Sequence, residues 1–448
     1  MKRRWCLAAL SVMMLGAAAC GAQTGTGAEP GDSQSKGDGG PESKPKQPIE
    51  LYIQNIYSGS PTAEEFTDMY GRLIQQKFPH IESIHYYSNA TRPLDQVLVN
   101  KDRMDIVITS QATFQSAFVA NSLHTDISGY IAQTKYDVNR LDASSLNLVK
   151  QLGGGKLYGL PVDAGGTWLI YNKDLFDKFG VSYPSDSMTW EQFEDLAKKL
   201  SRTDGGVKYH GAALPPVNYL IRNPYGLNHI DAATGKASFQ DPGWSRFLNR
   251  IADLYRIPGN EKDAQQLGTS GALNLFRKDK TAAMYSPIVS NDITLAFGLE
   301  DVNFDFTRFP SMSDAPGGVQ TYPNIYALSA TSPHKEDAFD VIAYMTSEEV
   351  QLAKSRRGGF ASLNNDSIRA AFGQEAPAFI RAKNLKVFAE PNRYVTPTFF
   401  SEYVSIANTE LNAALTSVVT GGTDMNTALR QAAESADRKI EQAKQAKK

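Results

Sequence analysis

The stretch Gly159–Val181, GLPVDAGGTWLIYNKDLFDKFGV, joins three patterns within 23 residues. An apolar strand-like run, Leu160–Val162, meets an acid, Asp163, and then the pair Gly165–Gly166. A second apolar run carries Trp168, after which Asn172 can cap a helix that Gly180 ends, with Leu175, Phe176 and Phe179 facing inward. An acid, two glycines and a tryptophan between two strand-like runs need an explanation from the rest of the chain.

The N-terminus reads as an export signal. Lys2, Arg3 and Arg4 form a positive start, and the apolar run from Trp5 through Ala19 is too short to span a bilayer as a mature helix. Ala17–Ala18–Ala19 precede Cys20, as in bacterial lipoprotein signals, where the cysteine is lipidated and becomes the new N-terminus. Residues 21–47 are rich in Gly, Ser, Pro, Lys and acids with no large apolar side chain, so they read as a disordered tether with an r.m.s. reach of ~30 Å. The two cysteines are Cys6 and Cys20, which leaves the body with neither disulfide nor thiolate chemistry. A net charge of −2, with no Lys/Arg cluster interleaved with aromatics, gives no support to nucleic-acid binding.

The remaining body, about 400 residues, is too long for one core and fits two domains. It opens with strand patterns IELYIQNIY, ESIHYYS and MDIVITS, separated by helical segments near Ala63–Phe78 and in PLDQVLVN. This βαβαβ rhythm implies a parallel sheet flanked by helices, in which ligands sit beyond the carboxyl ends of the strands. Those ends carry Tyr57–Ser58–Gly59, Ser88–Asn89 and Ser110–Gln111. Further on, Thr189 and Gln192 in TWEQFEDLAKKL form a capping box ahead of an apolar stripe that puts Trp190 in a core. Ser332–Pro333 predicts a helix start with Phe339, Ile342 and Met345 inside, and an amphipathic helix with the stripe Met425, Leu429, Ala432, Ala436 and Ile440 closes the chain.

Motifs for chemistry are scarce. There is no phosphate-binding or dinucleotide glycine loop, no nucleophile-elbow pattern, and no metal spacing among the six histidines. No cofactor and no metal are expected. A secreted hydrolase would have to rest on a carboxylate pair that no local pattern singles out.

GKLYGLPVDAGGTWLIYNKDLFDKFGV followed by MTWEQFEDLAKKL resembles the family 1 extracellular solute-binding proteins of ABC importers, the maltose-binding-protein-like group. LFRKDKTAAM, with Asp279 where a Gly is usual, and YALSATSPHKEDAFDVIAYMTSEEVQ continue the resemblance in order. It implies an α/β, two-lobed periplasmic-binding-protein-like fold of the class II type. Each lobe is expected to be a mostly parallel sheet flanked by helices, with a hinge between lobes. The expected division is 1–20 signal, 21–47 tether, 48–158 plus 320–390 for the N-terminal lobe and 159–319 plus 391–448 for the C-terminal lobe.

Under this resemblance Leu160–Val162 crosses between lobes and Gly165–Gly166 lets backbone approach a ligand. Trp168 offers a flat apolar face with one N–H donor, although a core position under the second lobe is the competing assignment. Residues expected to line the cleft are Tyr57, Ser58, Gly59, Ser110, Gln111, Asp163, Trp168, Tyr285, Ser286, Tyr322, Asn324 and Arg357. The segments MYSPIVSNDI and GGVQTYPNIYAL depart from the usual tryptophan-bearing sugar-site pattern, leaving Tyr285, Ser286, Tyr322 and Asn324 in its place.

The implied function is a receptor, not an enzyme. It would be a monomer, lipid-anchored at the extracellular face of the bacterial cytoplasmic membrane, delivering a sugar or oligosaccharide to ABC permease subunits. The alternatives are a polyamine, amino-acid-like or anionic solute, or a secreted hydrolase. Cys20→Ala is expected to release the protein from membranes into the soluble fraction. Membrane fractionation with the tagged full chain checks this, and undiminished retention would count against a lipid at Cys20.

Overall fold

The computed structural model describes residues 46–57, 61–289, 293, 298–315, 318–389 and 395–446. Its first sheet begins with three strands, β1 (Ile49–Asn55), β2 (Ile81–Tyr87) and β3 (Ile106–Thr109). Both β2 and β3 pair parallel with β1, as the βαβαβ rhythm requires. The helical run between β1 and β2 comprises Ala63–Phe66, a wider π-type turn at Thr67–Gly71, and Arg72–Lys77. The helix Leu94–Asn100 connects β2 to β3.

β4 (Gly159–Pro161) leads out of this sheet, and β5 (Gly166–Asn172) begins the second. The hairpin strands β6 (Arg202–Asp204) and β7 (Val207–Tyr209) pair only with each other. β8 (Met284–Tyr285), β9 (Ile288–Val289) and β10 (Phe304–Arg308) complete the second sheet around β5. β11 (Ile325–Leu328) then returns to the first sheet, whose order is β2-β1-β3-β11-β4. β11 is antiparallel to both β3 and β4, so the first sheet is mixed.

The second sheet differs from the mostly parallel one predicted. β5 pairs antiparallel with β8, β9 and β10, and parallel pairing survives only as isolated bridges such as His210–Ala282 and Ala213–Tyr285. The physical reason lies in the chain path. Between β5 and β8 the chain runs through several helices and the β6–β7 hairpin, so no single crossover helix imposes a parallel βαβ direction on the pair.

All seven residues of β5 are buried. Because successive side chains on a strand point to opposite faces, Leu169 and Tyr171 enter one core while Trp168 and Ile170 enter another. The first of these cores is roofed by helices Trp190–Leu200 and Pro242–Arg256 and by the closing pair Val404–Gly421 and Met425–Ala446. The closing helix buries the predicted stripe, with Ala436 and Ile440 at 0% and 1% exposure. The Thr189–Gln192 capping box is present, and Gly180 ends its helix at a φ of 63°, where a side chain would be strained. Helix Lys335–Met345 starts two residues beyond Pro333 and buries Phe339, Ile342 and Met345 against the first sheet.

Phe360, Phe372, Ile380 and Phe388 fall in the stretch 320–390 that the sequence assigns to the N-terminal lobe. They pack instead with Trp168, Ile170 and Phe306 of the second sheet. Leu363 and Ile368 still lie in the first sheet's core, and the Asp142 amide donates to the Ser362 carbonyl, so Phe360 only reaches across and the chain changes sides between Ile368 and Phe372. β4 and β11 themselves lie so close that a Cβ at Gly159 would stand 2.4 Å from the Tyr326 carbonyl oxygen and 2.6 Å from the Ala327 Cα. Gly159→Ala should force these two strands apart and cost about 1–3 kcal/mol by overpacking. Urea denaturation of the full chain measures this; an unchanged midpoint would contradict it.

Candidate functional site

Among the described residues, three segments run side by side between the two cores: 162–165 and 320–324, which link the sheets, and 357–361, which puts Phe360 in the second core and Ala361 against the first. The first lies between the other two. The Val162 amide donates to the Asn324 carbonyl at 3.0 Å, and the Tyr322 amide donates to the Gly165 carbonyl at 3.1 Å. On its other side, Asp163 forms an antiparallel bridge with Ala361.

Asp163 is 2% exposed. Its Oδ1 accepts from the Asn324 amide at 2.7 Å, its Oδ2 accepts from Asn324 Nδ2 at 2.9 Å, and the Lys354 ammonium stands 3.6 Å away. Lys354 also donates to the Val162 carbonyl at 3.2 Å, and Gln351 Nε2 donates to that same oxygen at 3.0 Å. Burial pushes the Asp163 carboxyl up from its ordinary 3.8 to about 6, against the downward pull of Lys354 and Asn324. A carboxyl raised on folding contributes stability that is fully present below its unfolded value and is lost as pH rises through about 6. The acid and its partner amide hold the linking segments together, so Asp163 and Asn324 direct their bonds at each other.

A second polar group sits along the same segments. The Tyr322 hydroxyl donates to Ser110 Oγ at 3.2 Å, beyond the carboxyl end of β3. The fully buried Arg222 guanidinium lies 5.4 Å from the Tyr322 ring centre and donates through Nε and Nη2 to the Asn218 carbonyl. Gln320 is fastened to the second side by its amide on the Arg222 carbonyl and its Nε2 on that of Asn223. Thr321 Oγ1 donates to the Gly165 carbonyl at 3.0 Å and lies 3.1 Å from Ser145 Oγ. Around this junction, Gln111 Oε1, Thr167 Oγ1, Trp168 Nε1 and Gln320 Oε1 are buried without a hydrogen-bond partner among the described residues. Each such atom costs roughly 1–3 kcal/mol when desolvated unpaired.

The residues singled out in the sequence therefore separate. Ser110, Gln111 and Tyr322 meet at the junction, with Asp163 and Asn324 as its internal tie. Tyr57, at the end of β1, is 7% exposed, and its amide donates to Asn55 Oδ1. Ser58, Gly59 and Cys20 lie outside the described residues.

Trp168 is not the partly exposed platform expected. It is 3% exposed and stacked on Phe360, with centroids 4.4 Å apart and planes at 11°, while Phe388 meets it edge-on. Strand alternation explains this, because Trp168 falls on the face of β5 that Phe360 and Phe388 cover. Ser286 Oγ donates to the Trp168 carbonyl at 2.6 Å, and Tyr285 is buried beside Phe276, so both belong to the second sheet's packing. Arg357 is exposed and reaches the Asp68 carbonyl at 3.3 Å, away from the junction.

Sequence reasoning did not find Arg222, Gln320, Thr321, Gln351 or Lys354. Gln320 and Thr321 adjoin Tyr322 and were within reach of the same argument. Lys354, Gln351 and Arg222 sit on or beside helices with no local sign of their burial.

Residues 89–352, more than half of the chain, match the model of the family described as bacterial extracellular solute-binding protein. The chain belongs to that family. Its members are binding proteins rather than enzymes and act outside the cytoplasm. A putative binding protein of Brucella abortus is 24% identical over 225 residues, 48% of this chain and 53% of that protein. The chain thus spans about half the length of that curated relative. The galactooligosaccharide-binding protein of Bacillus subtilis is 26% identical over 338 residues, 68% of this chain and 71% of that protein.

Among solved structures, an ABC substrate-binding protein of Listeria monocytogenes in complex with cycloalternan aligns with a TM-score of 0.69 at 20% identity. That alignment covers 88% of this chain and 99% of that one. UgpB of Mycobacterium tuberculosis in complex with glycerophosphocholine gives 0.66 at 16% identity, over 89% and 99% of the two chains. The fold of this solute-binding protein is accordingly the two-lobed periplasmic-binding-protein fold, each lobe built on one of the two sheets.

Trp168→Ala should remove a stacked ring from a packed core and cost ~3–5 kcal/mol. Denaturant unfolding of the full chain checks this. A loss below about 1 kcal/mol would show that the ring supports little.

Proposed function

We propose that the protein is a membrane-tethered receptor that captures a hydroxyl-rich solute, an oligosaccharide, between its two lobes and delivers it to an ABC permease. The observation that carries this reading is the set of buried polar atoms without a hydrogen-bond partner among the described residues on Gln111, Thr167 and Gln320. They lie on segments bonded to one another at the junction, beside Ser110 and Tyr322. A solute with many hydroxyls can donate to the amide oxygens of Gln111 and Gln320 and share a hydrogen bond with the Thr167 hydroxyl, so one ligand class serves all three. The family membership and the ligands of two relatives, a galactooligosaccharide-binding protein and a substrate-binding protein in complex with cycloalternan, support the same class.

Capture proceeds by hinge closure, with the segments 162–165 and 320–324 as the flexing links. We place the lobes at 48–161 with 325–369, and at 166–319 with 372–446. No bond is broken in the solute. The lipid at Cys20 and the tether 21–47 hold the receptor at the extracellular face of the membrane, where as a monomer it meets the permease.

A second solute class is favoured by one observation, the fully buried Arg222 against Tyr322, which suits a phosphodiester or other anion. A thermal-shift panel on the full chain separates the two. It should contain galacto-oligosaccharides, cyclic and linear gluco-oligosaccharides, glycerophosphocholine, spermidine and single amino acids. A solute at a hundredfold excess over its Kd should stabilise the protein by about 2.7 kcal/mol. The expected result is an upward shift with an oligosaccharide. A shift only with glycerophosphocholine would replace the solute class, and cleavage of an oligosaccharide during incubation would overturn the receptor reading.

A further inference from the structure

We propose that Asp163 is the positioning residue of the hinge, setting the angle between the lobes through Asn324 and Lys354 without touching the solute. The proposal rests on the receptor reading above for the use made of that angle, and on geometry for the rest. Segment 162–165 lies between the other two links, and Asp163 is the side chain within it that reaches both ways. Toward 320–324, both its carboxylate oxygens accept from Asn324, at 2.7 and 2.9 Å. Toward 357–361, its backbone bridges Ala361, and its side chain faces the Lys354 ammonium at the end of helix Glu348–Arg356, just before the third link.

Backbone pairing alone lets strand-like links bend together as a ribbon. A carboxylate fastened to both neighbours resists their twisting past each other, because any twist lengthens a charge-assisted bond in a dry site. Glycines flank this tie. Gly165–Gly166 follow Asp163, and Gly358, with a φ of 92°, and Gly359 follow the Lys354 helix. Gln351 braces the same place, donating to the Val162 carbonyl at 3.0 Å and accepting from the Ser362 amide at 2.7 Å. The arrangement is a stiff centre flanked by glycines, with Gly165 held through its carbonyl by the Tyr322 amide and Thr321 Oγ1. The solute is excluded from Asp163 because both its oxygens are occupied and it is 2% exposed.

The test uses the full chain without added solute and two readouts: radius of gyration by small-angle X-ray scattering and amide exchange at Asn324. Asp163→Asn and Lys354→Met are expected to change the radius of gyration and to speed exchange at Asn324 by about tenfold or more, one pK-unit equivalent of lost protection. The double variant Asp163→Asn/Lys354→Met leaves no buried charge unpaired but still lacks the tie, so both readouts should stay shifted; their return to wild type would show that the single variants act only through an unpaired charge, and the proposal would fail. Lys262→Met is the control. Lys262 is a buried lysine in the second lobe that donates to His210 Nδ1 and the Asn260 carbonyl, far along the chain from every link. Its loss should lower the melting temperature with the radius of gyration unchanged.

If Asp163→Asn and Lys354→Met lower the melting temperature as Lys262→Met does and leave the radius unchanged, the pair is ordinary packing and the proposal fails. It fails equally if Asp163→Asn keeps wild-type scattering and exchange yet loses the oligosaccharide response of the thermal panel, since Asp163 then contacts solute. Should Asp163→Asn not fold, Lys354→Met and the double variant decide the question. Neither readout needs a solute, so a silent panel would overturn the receptor reading while leaving the hinge result intact.

Discussion

The carboxylate of Asp163 is the constraint around which the two halves are arranged. Three chain segments run side by side between the two cores, and without a tie each would be an extended linker free to choose its own path. Asp163 fixes the first of them to the second through Asn324 and to the third through Lys354 and the bridge at Ala361. The cost is visible in the carboxyl's rise to about 6, a consequence of burying charge in a site where the pairing only partly offsets lost hydration. A well-packed apolar cluster could have held the same segments at less electrostatic cost. Directional bonds, however, define how the segments lie relative to one another, which contacts between alkyl groups do not.

Aromatic packing completes what the polar tie begins. Phe360 directly precedes Ala361, the bridge partner of Asp163, and stacks on Trp168 two residues beyond Gly166. The third link is thus held at one residue by hydrogen bonding to the first and at the next by ring stacking on β5. Ser110, Gln111, Gln320 and Tyr322 lie beside this division and take no part in the ring stacking. Polar ties and ring packing lie within a few positions of one another in the chain, which is why single residues in the stretch Gly159–Val181 are hard to assign.

The local physics of the chain was largely legible. Asn172 and Thr189 cap their helices as their side chains suggest, Gly180 takes the left-handed turn, and Met425, Leu429 and Ile440 form the buried stripe of the closing helix. The first three strands and their parallel pairing also followed from periodicity. Side-of-strand questions were not legible. Trp168 in a run buried on both faces has no alternation to show which core it enters, and only the arrival of Phe360 and Phe388 from almost 200 residues later decides it. Lys354 illustrates the same limit. It reads as one more surface lysine on an ordinary helix, and its burial depends on a carboxylate 191 positions earlier. The pairing direction of β5 was equally hidden, since it depends on the chain path between β5 and β8 rather than on the composition of the strand.

The place of β11 in the first sheet has a bearing on how the protein is made. β4 touches that sheet only through β11, which lies between it and β3. During synthesis the first 160 residues emerge well before residue 325, so β3 presents a bare edge and β4 has no neighbour until some 165 further residues have followed. Contacts of such long sequence separation form slowly, and an unpaired edge invites the wrong strand in the meantime. The N-terminal lobe therefore cannot mature as an independent early unit. Its completion waits for the C-terminal lobe's strands to be threaded through, and a chain stopped anywhere before residue 328 would carry an open sheet that no amount of folding time could close.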